Sequence, residues 1–286
     1  MSGHKLIPAF SSGEELQSQI QDAKSKAGKG HFDIWWLGQS GFLIQWDGAL
    51  VLFDPYLSDS LTKKYNGTDK PHVRMSELVI APTLLNNIDI VSSSHNHTDH
   101  LDAETLKPIL DSNPGISFVI PEANRAFVCD RLKCPSDFPI GLNDGEKFTL
   151  KGFTYHGVPA AHNTIERDPQ GRCKFMGFVV EFGKWVIYHS GDTLSYDNIV
   201  DVLDPFKIDL AFLPINGNDP ARGVAGNLNA REAAELGHAL DVRLVIPHHY
   251  HMFEFNTADP HDFEQEANRL KVPYRVLKLG ERLQFK

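Results

Sequence analysis

The sequence predicts an α/β fold in which two mixed β-sheets pack face to face with helices on the outside. Three observations carry this. The chain has 286 residues, 41% of them hydrophobic and 23% charged, the composition of a globular protein large enough to bury a sizeable core. Each half of the chain runs from short β-type segments into alternating strand and helix patterns, the order expected of two similar sheets. No short-period repeat or low-complexity tract interrupts that order.

In chain order, Ser12-x-x-Glu15 reads as a capping box, and Leu16, Ile20, Ala23 and Ala27 follow at helical spacing up to Gly28, so residues 13–27 are expected as a helix. Residues 1–30 are read as an N-terminal helical extension and 31–286 as one domain. Branched and aromatic residues predict strands at 32–37, 42–46 and 49–53, and Asp47-Gly48 between the last two is a hairpin signal. Residues 55–86 read as a long polar loop, a length that is often functional. A strand at 88–93, a helix at 103–110, a strand at 116–120 and a helix at 122–132 close the first half. The second half opens with strands at 147–150, 153–158, 175–182 and 185–189. Strands at 210–215, 244–247 and 274–279 then alternate with helices at 196–203, 230–240 and 261–270.

Charge and composition narrow the function. The formal net charge is −9 with no run of like charges, so nucleic acid is a poor partner. No apolar run reaches the ~18 residues of a membrane span, and the N-terminus lacks the basic start and apolar stretch of a signal peptide. A cytoplasmic protein acting on a small molecule is expected, with no membrane partner; a homo-oligomer is compatible with this composition. The three cysteines, Cys129, Cys134 and Cys173, have no metal-type spacing and read as reduced thiols. Fourteen histidines are the unusual count.

Several of them crowd into Ser94-His95-Asn96-His97-Thr98-Asp99-His100, between the strand at 88–93 and the helix at 103–110. Imidazole and carboxylate suit zinc, manganese or iron, and alternation along a turn lets His95 and His97 face one ion while Asp99 and His100 face another. With this motif, the segments Trp36-Leu37-Gly38-Gln39-Ser40-Gly41-Phe42, His162, Ser190-Gly191-Asp192-Thr193 and Pro247-His248-His249-Tyr250 resemble the metallo-β-lactamase superfamily from about Phe32 to Phe285. The resemblance implies an αββα four-layer sandwich and a single catalytic domain. It implies one ion held by His95, His97 and His162, a second held by Asp99, His100 and His249, and Asp192 bridging both. His249 is preferred to His248 because the related motif places its ligand two residues after the proline.

Tyr188-His189-Ser190-Gly191-Asp192, the loop Asn218-Asp219-Pro220-Ala221-Arg222-Gly223 and Ala258-Asp259-Pro260 are most similar to the L-ascorbate-6-phosphate lactonase family. Many relatives carry His where this chain has Gln39. Asp54, at a strand end, is a candidate to orient a ligating imidazole. His189 is a candidate catalytic residue beside Asp99, through a hydrogen bond to substrate or to a ligand. Arg222 and Tyr250 are candidate substrate-binding residues, Arg222 because its fork grips phosphate or carboxylate. The tryptophans Trp35, Trp36 and Trp46 read as sheet packing.

The resemblance thus implies a hydrolase that uses hydroxide on two divalent ions, Mn or Zn, to open a lactone or ester of a small, phosphosugar-like substrate. Asp99 or a metal-bound water would pass a proton to the leaving oxygen. Two readings compete. A phosphodiesterase of the N-acyl-phosphatidylethanolamine phospholipase type shares similar motifs, although residues 13–27 offer only a modest apolar stripe for a lipid surface. A non-catalytic metal-binding protein on the same scaffold is the other.

Overall fold

The computed structural model describes residues 5–221, 223, 224 and 226–286. Thirteen strands and seven α-helices are present among the described residues. The first sheet is built from β1 (Phe32–Gly38), β2 (Gly41–Trp46), β3 (Ala49–Phe53), β4 (Ile90–Ser92), β5 (Ser117–Pro121), β6 (Pro139–Leu142) and, from the far end of the chain, β13 (Arg282–Phe285). The second holds β7 (Lys147–Leu150), β8 (Phe153–Pro159), β9 (Met176–Phe182), β10 (Trp185–His189), β11 (Leu210–Pro214) and β12 (Leu244–His248). Their orders are β13-β1-β2-β3-β4-β5-β6 and β12-β11-β10-β9-β8-β7. In each sheet an antiparallel meander passes into parallel strands, at β3–β4 in the first and at β10–β11 in the second. The two halves repeat one plan, as their sequence order predicts.

The sheets meet face to face through aromatic side chains. Phe42 of β2 lies 4.1 Å from Phe212 of β11, Phe53 of β3 is 5.8 Å from Tyr155 of β8, and Trp46 meets Phe153 and Phe182 at 5.6 and 5.5 Å. Helices cover the outer faces. They are α1 (Gly13–Ser25), α3 (Ala103–Ser112), α4 (Arg125–Leu132), α5 (Ile199–Leu203), α6 (Ala230–Ala239) and α7 (Pro260–Leu270), whereas the short α2 (Ser60–Lys64) lies in the loop between β3 and β4. The result is the αββα sandwich. No helix among the described residues is long and apolar enough to cross a membrane.

Three details depart from the sequence reading. Residues 274–279 form no strand; Tyr274 makes only an isolated bridge to Val245, and the edge of the first sheet is β13, four residues that pair with β1. β6 is a strand that Pro139 and Gly141 hide from a propensity count. Helix α1 starts where the Ser12 signal places it, but the Ser12 side chain makes no capping hydrogen bond. That helix packs on the sheets, with Leu16, Ile20 and Ala23 buried in the same core.

Candidate metal centre

Both sheets end their parallel strands on the same side, and the loops there carry the histidines. After β4 the chain turns tightly: the backbone N–H groups of His100 and Leu101 both donate to His97 O, at 3.1 and 2.8 Å, and Ser93 Oγ donates to His100 O at 2.7 Å. Asp54, just after β3, holds this turn from below. Its Oδ1 accepts from Ser94 N at 2.8 Å, and its Oδ2 accepts from Ser94 Oγ and, at 2.6 Å, from His100 Nδ1. Fixing Nδ1 in this way turns His100 Nε2 toward Asp192, which is the use expected of a carboxylate behind a ligating imidazole.

The second sheet supplies the rest. Asp192 follows β10 in the Ser190-Gly191-Asp192 turn, where Gly191 has φ +57° and a Cβ would lie 2.6 Å from Ser94 Cβ; only glycine lets the two turns approach so closely. His249 follows β12 on left-handed backbone, φ 66°, with its N–H donating to Gln39 O at 3.1 Å. His162 follows β8, its Nδ1 3.2 Å from Gly226 O. A Cβ on Gly226 would meet the His162 ring at 1.9 Å.

These groups fit a metal ion. Ligand atoms of His95, His100 and Asp192 lie within 4.8 Å of one another, as do those of Asp99, His100 and His249. His95 Nε2, His100 Nε2 and Asp192 Oδ1 are buried and make no hydrogen bond to any described residue, although His100 Nε2 comes within 3.2 Å of Asp192 Oδ1. Buried polar atoms are rarely left so. Three of them converging, two nitrogens and one carboxylate oxygen, make a donor set of the kind zinc and manganese take. Burial pushes Asp192 up, but His100 and His249 outweigh it and hold the carboxylate well below its usual range; His100 does the same for Asp99. In return, and against their own burial, His100 is raised well above an ordinary imidazole and His249 to about 9, with Asp192 as the main partner of each. Burial, with His100 and His97 adding to it, drives His95 well below.

Each residue singled out from the sequence can now be placed. His95, Asp99, His100, Asp192 and His249 converge. The grouping differs from the expected division, since His100 belongs to both compact groups. His97 and His162 stand beside them on the cavity wall, with their rings 4.9 Å apart and 4.6 and 5.7 Å from that of His95. His248 is turned away, its Nδ1 3.1 Å from Ser40 Oγ. The catalytic role expected of His189 does not hold: the ring is fully buried, Nε2 donates to Ser40 O at 2.8 Å and Nδ1 accepts from Gly191 N at 3.2 Å. With both nitrogens occupied, His189 braces the turn that carries Asp192. The substrate contact expected of Tyr250 does not hold either, because Tyr250 stacks on Trp36 at 4.3 Å and spends its hydroxyl on Leu277 O at 2.5 Å, inside the core. Arg222 lies outside the described residues.

The family described as the Beta-lactamase superfamily domain matches residues 33–249, a span that begins in β1 and ends on the last converging histidine. The chain belongs to this family. Similar proteins include a UPF0173 metal-dependent hydrolase of Myxococcus xanthus, 27% identical over 263 residues that cover 89% of this chain and 83% of that protein. Another of the same description, from Hyperthermus butylicus, is 28% identical over 255 residues, 87% of this chain and 98% of that one. Among solved structures, a metallo hydrolase from the archaeon Ignicoccus hospitalis shares the fold with a TM-score of 0.65 at 22% identity, covering 90% of this chain and 99% of that one.

In this β-lactamase superfamily chain the donor groups floor a cavity of about 520 Å³, within the size range of small-molecule sites. Sequence reasoning passed over two parts of it. Gln39, noted only as a departure from a histidine, is fully buried on left-handed backbone (φ 50°); its Nε2 donates to Asp99 Oδ2 at 2.8 Å and lies 3.0 Å from His249 Nε2. The long loop between β3 and β4 forms the cavity's outer wall with Leu61, Lys64, Tyr65, Lys70 and His72. Its length was the only signal.

Proposed function

We propose that this chain, a metal-dependent hydrolase of the metallo-β-lactamase fold, cleaves a lactone or ester of a small anionic substrate, and that its cluster of histidines and carboxylates holds two divalent ions, manganese or zinc. The observation that supports an anion is the pair Lys64 and Lys70. Both are exposed at the cavity, and neither is in an ion pair with a described residue, although the chain as a whole carries −9. Lone ammonium groups on an acidic surface favour an anion arriving at that mouth.

When bound, divalent ions in this site polarise a carbonyl oxygen and make water acidic enough to supply hydroxide near neutral pH. His95, Asp99, His100, His249 and Asp192 would hold them, with His97 and His162 completing the set from the cavity wall. Asp99 stands at the cavity, and the Gln39 amide fixes the plane of its carboxylate. From there the ionised carboxylate can take up the proton that the attacking water loses and hand it on to the leaving oxygen. Lys64 and Lys70 hold the anionic end of the substrate clear of the two carboxylates.

Turnover by the purified, metal-loaded protein tests this. A neutral lactone, a phosphorylated lactone and bis(p-nitrophenyl) phosphate should separate the readings, with the phosphorylated lactone preferred and Lys70→Ala and Arg222→Lys each eroding that preference. Turnover of the phosphodiester alone would make the protein a phosphodiesterase. No turnover of any of the three at full metal content would leave the non-catalytic reading.

A further inference from the structure

The loop between β3 and β4 is clamped at both ends. Arg74 is buried and ties the ends together: Nε donates to Asp59 Oδ1 at 2.6 Å, Nη2 donates to Ser58 O, and Nη1 reaches Met252 Sδ at 3.1 Å. Met75 N donates to Met252 O at 2.9 Å and Glu254 N to Val73 O at 3.1 Å, which joins residues 73–75 to the 252–254 turn. Between these anchors residues 60–72 arch along the cavity. The arch is therefore tied at both ends beside the cavity.

Where the arch meets that turn, four rings come together. His72 stacks on Tyr65 with centroids 4.3 Å apart and meets Phe253 and Phe255 edge-on at 5.0 and 4.6 Å. Burial holds His72 below the ordinary imidazole value, so it packs as a neutral ring. All four rings line the cavity, and Phe253 belongs to a small hydrophobic cluster with Tyr56, Leu61 and Met252 that is separate from the main core, with Tyr65 and Phe255 packed against it. The rings are thus not needed to hold the two sheets together. Tyr65 and Phe255 are only half-buried, which leaves aromatic surface facing the space above the donor cluster. That space exceeds what a reacting carbonyl needs.

We infer that the wall of Tyr65, His72, Phe253 and Phe255 is a binding slot for a flat apolar group of the substrate, with Lys64 and Lys70 meeting an anion attached to it. The inference rests on the proposed hydrolysis for the reacting group and adds what that group is joined to: an aryl or other planar substituent. Aromatic rings prefer offset or edge-on partners at about 4.5–7 Å, and the edge-on contacts of His72 with Phe253 and Phe255 inside this wall already use that spacing. Lys64 Nζ lies 5.0 Å over the Tyr65 ring, so one cation is held at the edge of the slot.

Binding of phenyl phosphate and methyl phosphate to the metal-loaded full chain, followed by calorimetry, tests the slot apart from turnover, because the two probes carry the same anion and differ by the ring. The wild type should bind phenyl phosphate about tenfold more tightly. Tyr65→Leu and Phe255→Leu, which keep apolar bulk without a ring, should each remove most of that preference, whereas Lys70→Ala should weaken both probes alike. A parallel comparison of dihydrocoumarin with δ-valerolactone should show the same loss as a fall in the ratio of their kcat/KM values. Equal affinity of the two phosphates for the wild type, no binding of either, or an intact preference in both leucine variants would overturn the slot. If the phosphates discriminate but no lactone or ester is cleaved, the proposed hydrolysis falls and the slot stands.

Discussion

At the scale of single residues, the site depends on carboxylates that orient imidazoles. Asp54 is fully buried and accepts from Ser94 and His100, and Asp192 lies within 3.5 Å of ring nitrogens of both His100 and His249. Asp192→Ala should abolish turnover and bring the metal content to one ion or fewer per chain, while far-UV circular dichroism stays that of the folded protein. Asp54→Ala acts one step back. It removes the acceptor for His100 Nδ1 and should weaken metal binding by about 10- to 100-fold, the usual effect of deleting such a partner. Competition against a chelator measures it, and an unchanged affinity would show that Asp54 serves only the Ser94 turn. The residues that converge here were legible because a metal site needs a particular set of side chains, and His95, Asp99, His100, Asp192 and His249 announce that set in short motifs. Gln39 was not, since its role comes from a left-handed backbone at the β1–β2 turn, which residue type alone does not reveal. His189 and Tyr250 misled for the converse reason. Each adjoins a motif, but an alternating strand or a tight turn sends neighbouring side chains in opposite directions, and both ended in the core.

At the scale of elements, the meander strands and the parallel strands of both halves were readable from apolar runs and turn residues. What escaped was pairing over long range. β13 closes the first sheet from the other end of the chain, with Phe285 opposite Phe32 and Arg282 opposite Trp35, and no local pattern announces such a partner. Arg282 ion-pairs with the fully buried Asp33 at 3.0 Å, which fixes that register. Helix α1 is the other case. Its stripe looks modest because the helix is mostly polar, but Leu16 is fully buried and Ile20 and Ala23 nearly so. Leu16→Ala should therefore cost about 2–4 kcal/mol, as for other buried leucines, measured by urea unfolding. Activity per folded molecule should stay unchanged, because α1 covers β2 on the outer side of the sandwich and lines no part of the cavity. A loss below about 1 kcal/mol would mean that the segment docks too weakly to count with the domain.

At the scale of the whole molecule, the αββα arrangement gathers buried carboxylates and histidines at one end of a chain that is already acidic. Their charge must be balanced, either by protons on the histidines or by divalent ions. Protons do so when His249 is raised to about 9 and His100 above an ordinary imidazole by Asp192 and Asp99. The sign of the consequence follows. A histidine whose folded value exceeds its unfolded value of about 6.5 contributes stability that is fully present below pH 6.5 and is lost as pH rises through the folded value. The metal-free protein should therefore lose stability between about pH 6.5 and 9. Ions that take over the balancing need the same histidines deprotonated, so metal binding should release protons at pH 7 and tighten as pH rises. Stabilisation by bound metal grows with the ratio of its concentration to its dissociation constant. The gap in melting temperature between the metal-loaded and chelator-treated protein should thus be small near pH 6 and widen steadily toward pH 9. Differential scanning calorimetry across that range checks it. A gap independent of pH would mean that protons and metal do not compete for these nitrogens, and would detach the His100 and His249 pair from the metal centre.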